Sequence, residues 1–429
     1  MEPTAMQATA TARTEPTATA ATAEPTAPLT DASRFPHLGQ LVGDAGTQAF
    51  LDESFGRDAF RWRLAAGEAG RLYSWALLNE ALAGHRLGPP RLKLEKGGQQ
   101  VGRQVFRERR PRPGQVLHDI DVAGLQAELR EGATLVLDAV NEMHAPLRRL
   151  CAGLAAEFRA HSQANLYACW GESQGFDVHW DDHDVFVVQV EGAKRWDLYG
   201  FTRPAPLRRE REPAPAPTHD PRQIVLEAGD MLYLPRGYWH AAAGLGEPSL
   251  HLTIGLSRKT GVDLLHWLAD EAMTDAAVRA DLDLETDDAR LGAQVAEVLR
   301  AALSPGDPAE LGRRYRRGVE AAARHRPELS LPHIGRSEEP VGERRRVRLA
   351  AGTTVFEPSD DGASVALSHR GVRYTLAAAT AAAVEALAGG ESMTYGELAR
   401  RCGGVAEAEV QAFVQDMLRR GVFMLEPEE

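Results

Sequence analysis

At 429 residues the chain is longer than one hydrophobic core usually organises, which predicts two or three domains. Its balance of 49 Lys and Arg against 61 Asp and Glu gives a net charge of -12, which repels phosphate backbones, argues against nucleic acid as ligand and suits basic peptides or proteins. Three scattered cysteines (Cys151, Cys169, Cys402) make no disulfide framework or zinc knuckle, and no apolar run approaches the roughly 18 residues of a membrane span. A cytoplasmic protein that does not enter membranes is expected.

Residues 1 to 30 repeat Glu-Pro-Thr-Ala within Ala/Thr/Pro-rich filler that has little to bury, which predicts a disordered tail. From about Phe35, "QAFLDESF" and "RLYSWALLNEAL" carry apolar residues at helical spacing, so a helical lead-in precedes the strands. "ATLVLDAV" reads as a strand, and "PLRRLCAGLAAEFRAH" as an amphipathic helix that opens with Pro146. Short strands cluster between 165 and 257, after which the period returns to about 3.6 through "GVDLLHWLADEAM", "ARLGAQVAEVLRAAL" and "ELGRRYRRGVEAAARH". A charged linker around 336 to 346 leads to strands, three helices and a closing "VFMLEP", the order of a winged-helix-like domain. The divisions expected are 1–30, 31–257, 258–336 and 337–429.

The chemistry concentrates in "HWDDHDVFVVQVEGAKRW", residues 179 to 196. In an extended strand, residues two apart point to the same side, so His179 and Asp181 can close on one ion. A third ligand is available from His240, which follows the Pro235-Arg236-Gly237 turn and can return to the first strand. Two imidazoles and a carboxylate with open positions form the facial triad of non-haem Fe(II) oxygenases. Surface or core histidines are the bland alternative for each residue taken singly.

If Glu191-Gly192 is a two-residue hairpin turn, Gln189 pairs with Lys194, and Lys194 and Trp196 project with Val185, Val187 and Gln189. An unbroken strand from Asp181 would put the lysine more than about 20 Å from the metal, so a bend is predicted at Asp182-His183-Asp184. His183 then serves the turn, although strand parity alone leaves it open as a ligand. An inward ammonium requires an anion, and 2-oxoglutarate is the natural guest, with its distal carboxylate on Lys194. An exposed lysine beside a turn is the competing reading. Trp180 and Trp196 are assigned to barrel packing.

Taken together, "HWDDHDVFVVQVEGAKRWDLYG", "GDMLYLPRGYWH" and "SLHLTIGL" resemble the JmjC-type (cupin) ribosomal oxygenases, Fe(II)/2-oxoglutarate hydroxylases of protein side chains. The resemblance implies an α+β fold with a double-stranded β-helix core over about 120 to 257, a helical block that forms homodimers and a winged-helix-like C-terminal domain. It implies His179, Asp181 and His240 as iron ligands and Lys194 as the 2-oxoglutarate anchor. Asn165 and Tyr167 would line the active site, Ser257 would touch substrate, and O2 would be consumed. Histidine β-hydroxylation of a peptide or ribosomal protein is the outcome the resemblance implies. The alternatives are tailoring of a ribosomally made peptide natural product, N-methyl demethylation by the same chemistry, and a non-catalytic cupin regulator that binds DNA. Against the last, the helix "AEAEVQAFVQDMLRRG" carries Glu407, Glu409 and Asp416, which would face phosphate repulsion.

Overall fold

The computed structural model describes residues 36–426 except 173, 211–213, 304–306, 324–327, 334–338, 353 and 359–363. The predicted tail at 1–30 lies outside the described residues, as does part of the charged linker. The chain begins with helices α1 (Pro36–Val42) and α2 (Asp44–Glu53), strand β1 (Phe60–Arg63), and helices α3 (Glu68–Leu72) and α4 (Trp75–Gly84). Strands β2 (Leu92–Lys96), β3 (Gln99–Val101), β4 (Phe106–Arg109) and β5 (Leu117–Ile120) follow, then helix α5 (Val122–Arg130), strand β6 (Thr134–Leu137) and helix α6 (Ala145–Phe158). The lead-in therefore contributes strands as well as helices: β1 pairs antiparallel with a strand some 170 residues downstream, a partnership that local periodicity does not encode.

Helix α6 forms where Leu147, Leu150, Cys151 and Leu154 recur at helical spacing, and all four are buried. Pro146 fits its first turn because the missing N–H would have had no partner there. It ends at Arg159, whose left-handed backbone (φ 47°) lets its N–H reach back to Ala155 and Ala156. Burying each of these leucines contributes at most about 1.5–3 kcal/mol.

The strand-rich centre holds β7 (His161–Cys169), β8 (Asp184–Glu191), β9 (Ala193–Gly200), β10 (Arg222–Glu227), β11 (Asp230–Leu234), β12 (Trp239–Gly244) and β13 (Ser249–Ser257). They divide between two facing sheets. The larger runs β1-β11-β8-β13-β7-β6-β2-β3, and the smaller runs β10-β9-β12, extended by bridges from Gln174 to Ala243 and from His179 to His240. This is a double-stranded β-helix, in agreement with the expected fold class. Strand β8 is buried on both faces, which explains its unbroken "VFVVQV". Phe186, Val188 and Val190 face the helix-covered core, while Val185 and Val187 join Trp196, Leu198 and Leu226 between the sheets.

The expected hairpin at Glu191-Gly192 is not present. Strand β8 pairs with β11 and β13, and β9 pairs with β10 and β12, so Glu191-Gly192 is a corner where the chain crosses from one sheet to the other. Gly192 has φ 67°, and a Cβ there would lie 2.1 Å from the Pro248 carbonyl oxygen, so the corner requires glycine. The inward direction of Lys194 survives because the crossing, like a hairpin, keeps it between the sheets.

Beyond β13 come α7 (Gly261–Ala272), α8 (Ala276–Arg279), α9 (Asp288–Leu303) and α10 (Pro308–Ala322). A separate core then gathers β14 (Arg346–Leu349), β15 (Thr354–Pro358), β16 (Ser364–His369), β17 (Val372–Ala377), α11 (Ala381–Ala388), β18 (Met393–Thr394), α12 (Tyr395–Arg401), α13 (Glu407–Arg419) and β19 (Phe423–Leu425). Among the described residues, no helix is long and apolar enough to cross a membrane.

Candidate metal centre

His179 and His240 meet through paired backbone hydrogen bonds, His179 N to His240 O at 3.0 Å and the reverse at 2.8 Å. Each Nδ1 is turned onto a backbone carbonyl, that of Asp177 at 2.7 Å for His179 and that of Tyr238 at 2.9 Å for His240. This leaves the two Nε2 atoms free, the arrangement in which a carbonyl fixes the tautomer of a metal-ligating imidazole. The ring centroids are 4.5 Å apart, and His240 Nε2 lies 3.8 Å from Asp181 Oδ2. One ligand atom from each of His179, Asp181 and His240 falls within 4.8 Å of the others, the one such group among the described residues. Burial first, and then His179, hold the His240 imidazole down to about 4, so it is neutral and its lone pair is available at physiological pH.

The predicted bend is present as well: β8 begins at Asp184, and Asp182-His183 form the break. His183 is not in the three-residue group; its Nδ1 lies 3.1 Å from Asp182 Oδ1.

On β9, beside the His240 strand in the smaller sheet, Lys194 is buried at 4% exposure, and no carboxylate among the described residues pairs with it. Burial holds its pKa below the usual lysine value, opposed by the Cys169 thiol with which it hydrogen-bonds. Two further buried polar atoms in this region have no partner, Trp196 Nε1 and His251 Nδ1. The Trp196 ring stacks on His240 at 5.8 Å and meets His251 edge-on at 5.7 Å. Such unpaired groups are costly unless a ligand satisfies them. A buried ammonium on the sheet that carries His240, with two unpaired ring nitrogens beside it and opposite it, fits a cation together with a small dicarboxylate.

Tyr167 stacks on His251, with centroids 4.8 Å apart and planes 4° apart. Asn165 Oδ1 accepts from the Ala139 N–H and from Gln163 Nε2, each at 2.9 Å, and the Asn165 side chain also bonds the Tyr167 hydroxyl. Both residues occupy the less buried face of β7, the same face as His161. Ser257 pairs with His161 at the exposed end of β13, so it stands at the rim, away from the Tyr167–His251 stack.

Sequence reasoning missed His251. Burial first, and then Lys194, hold this imidazole well below its usual pKa. The available signal was alternation, since His251, Thr253 and Ser257 interrupt "SLHLTIGLS" at every second or fourth position. Cys169 was likewise read only as one of three scattered cysteines, whereas it touches Lys194.

The architecture defines a cupin-type protein with a two-histidine, one-carboxylate site on its smaller sheet. Residues 140–264 match the JmjC domain, so this stretch of the chain is a JmjC domain. The Drosophila persimilis protein named bifunctional lysine-specific demethylase and histidyl-hydroxylase NO66 is 43% identical over 110 residues, which is 25% of this chain and 16% of that protein. Ribosomal oxygenase 2 of Rattus norvegicus is 40% identical over 130 residues, 27% of each protein. The matched stretch is thus under a third of either relative's length. The X-ray structure of Escherichia coli YcfD superposes with a TM-score of 0.55 at 17% identity, covering 88% of this chain and 97% of its own. A second structure, of the ribosomal oxygenase YcfD with cobalt and 2-oxoglutarate, gives 0.52 at 16% identity over 88% and 98%. At these identities the likeness speaks to the fold.

Proposed function

We propose that the protein is an Fe(II)- and 2-oxoglutarate-dependent oxygenase that hydroxylates a side chain, histidine at its β-carbon, in a peptide or ribosomal protein. The observation that carries this is the pairing of a pre-oriented triad with a buried lysine lacking a counter-ion. When bound, the iron supplies dioxygen activation coupled to decarboxylation of 2-oxoglutarate. His179, Asp181 and His240 would hold the metal and leave positions open for co-substrate and O2. Lys194 would anchor the distal carboxylate, with the Trp196 nitrogen on the same sheet and the His251 nitrogen on the facing one. Tyr167, held by Asn165 and stacked on His251, would set the approach of the target side chain, and Ser257 would meet substrate at the rim.

The catalytic unit spans 31–257 in this reading, followed by a helical block at 258–336 and a winged-helix-like unit at 337–429. Leu265, Met273 and Leu299 are exposed on or just after the helices of the block and supply an apolar face for a homodimer. Sedimentation velocity across a concentration series is expected to show the dimer; a monomer at all concentrations would remove that part of the reading.

Anaerobic titration of the full chain with Fe(II) and then 2-oxoglutarate should produce a visible metal-to-ligand charge-transfer band, absent in His240→Ala. Mass spectrometry of ribosomal proteins and small peptides from cells with and without the gene should then show one added oxygen on a defined residue. No band, combined with tight duplex binding, would favour a DNA-binding regulator instead.

A further inference from the structure

We infer that a cationic cleft beside the metal centre selects an acidic side chain of the peptide substrate, an inference that rests on the oxygenase reading above. The cleft encloses about 440 Å³ and runs from His183, two residues past Asp181, to the face of α10 that carries Tyr315, Arg316 and Val319. Its basic lining comes from four separate segments: Arg159 at the end of α6, Arg236 in the turn before His240, Arg258 and Lys259 after β13, and Arg316 on α10. Asp184 is the one carboxylate in that lining, and it is already engaged by Arg258 at 2.7 Å.

Two more of these cations are occupied, Arg159 by Glu320 at 3.0 Å and Lys259 by Asp263 at 3.6 Å. Among the described residues, Arg236 and Arg316 have no ion-pair partner. Arg236 adds only to the field that lowers the Glu210 carboxyl, after the Leu207 N–H and Arg203. The Tyr315 hydroxyl is also buried without a partner. The cleft thus presents two free guanidinium groups and an unused hydroxyl, a donor set for one carboxylate.

The surroundings favour a side chain over a polyanion. Phe158, Leu256 and Val319 provide apolar contact suited to the methylenes of Glu or Asp. A nucleic-acid backbone needs a basic track that continues past the cleft, whereas Asp182 and Asp263 border this one and the chain carries -12. Long-range charge would draw a basic peptide, and the cleft would fix its register through one local acid, placing the target residue at the triad.

The test uses the full chain loaded anaerobically with Fe(II) and 2-oxoglutarate. Fluorescein-labelled heptapeptides with a central histidine carry Glu, Gln or Lys at each flanking position, and anisotropy reads binding. At one position or more, the Glu peptide should bind about tenfold tighter than its Gln twin, the scale of one charge-assisted hydrogen bond. That ratio should fall toward one in Arg316→Ala and invert in favour of Lys peptides in Arg316→Glu. No Glu preference at any position, or one that persists in Arg316→Glu, would overturn the inference. A uridine decamer that outcompetes every peptide in the wild type but not in Arg316→Ala would reassign the cleft to RNA. The charge-transfer band recorded in the same samples separates the two readings: its absence sinks the oxygenase, and its presence without an acidic preference sinks the cleft alone.

Discussion

Replacing Lys194 by methionine is expected to raise the melting temperature of the metal-free protein while eliminating 2-oxoglutarate binding. The ammonium is 4% exposed, has no carboxylate partner among the described residues and hydrogen-bonds the weakly polar Cys169 thiol. Methionine fills similar volume without a charge to desolvate, so the gain should be on the order of 1–3 kcal/mol. The pH dependence follows from the direction of the lysine's shift. Burial lowers the folded pKa below the ordinary lysine value of 10.5, so between the two the unfolded chain binds more protons and stability rises with pH. The advantage of Lys194→Met is therefore largest below the folded pKa and shrinks as pH climbs through it toward 10.5. Saturating co-substrate acts in the opposite direction, because a ligand at about 100 times its Kd stabilises the wild type by about 2.7 kcal/mol and leaves the variant unchanged. Calorimetry with and without 2-oxoglutarate measures all three effects. A variant less stable than wild type in the apo state, or one that retains co-substrate affinity, would show that the lysine is not an anion anchor.

Which features could be read beforehand follows from the range of the interactions involved. His179 and Asp181 share one extended segment, so local parity was enough to put both on one side, and a histidine shortly after a Pro-Arg-Gly turn had a short route back. The corner at Gly192 was misread because Glu-Gly between apolar runs has the composition of a hairpin. Only the distant partners β11, β13, β10 and β12 show that the two strands lie in different sheets. His251 stayed hidden for a related reason: β13 is buried on nearly its whole length, so its polar alternation is faint beside its apolar content. The cleft cations lie on segments as far apart as α6 and α10, and no window of sequence joins them.

Truncating Asp184 to alanine should be the most damaging single change near the site, costing about 3–5 kcal/mol of stability. This carboxylate is 2% exposed as a side chain and accepts from three donors: Tyr233 Oη at 3.0 Å, the Arg236 N–H at 3.0 Å and Arg258 Nε at 2.7 Å. Each donor belongs to a different part of the fold. Tyr233 Oη in turn accepts from the Gly56 N–H at 2.8 Å, and Arg258 lies 4.5 Å over the Phe55 ring, so the lead-in hangs on the same carboxylate. Arg236 sits in the turn whose next residue, Gly237, donates its N–H to the Asp181 carbonyl at 2.9 Å. Loss of Asp184 would thus free both the turn that leads to His240 and the backbone of Asp181, and Fe(II) affinity should fall together with the melting temperature. Asn at this position keeps an acceptor for Tyr233 and the Arg236 N–H but loses the charge for Arg258, so Asp184→Asn should cost less. Adding Arg258→Met to Asp184→Asn removes the stranded cation and should recover part of that loss, which a double-mutant cycle measures. If Asp184→Ala unfolded like the wild type, or bound Fe(II) as tightly, the metal ligands would have to be held in place by their own strand contacts, and the three donors would be exchanging this carboxylate for water at little cost.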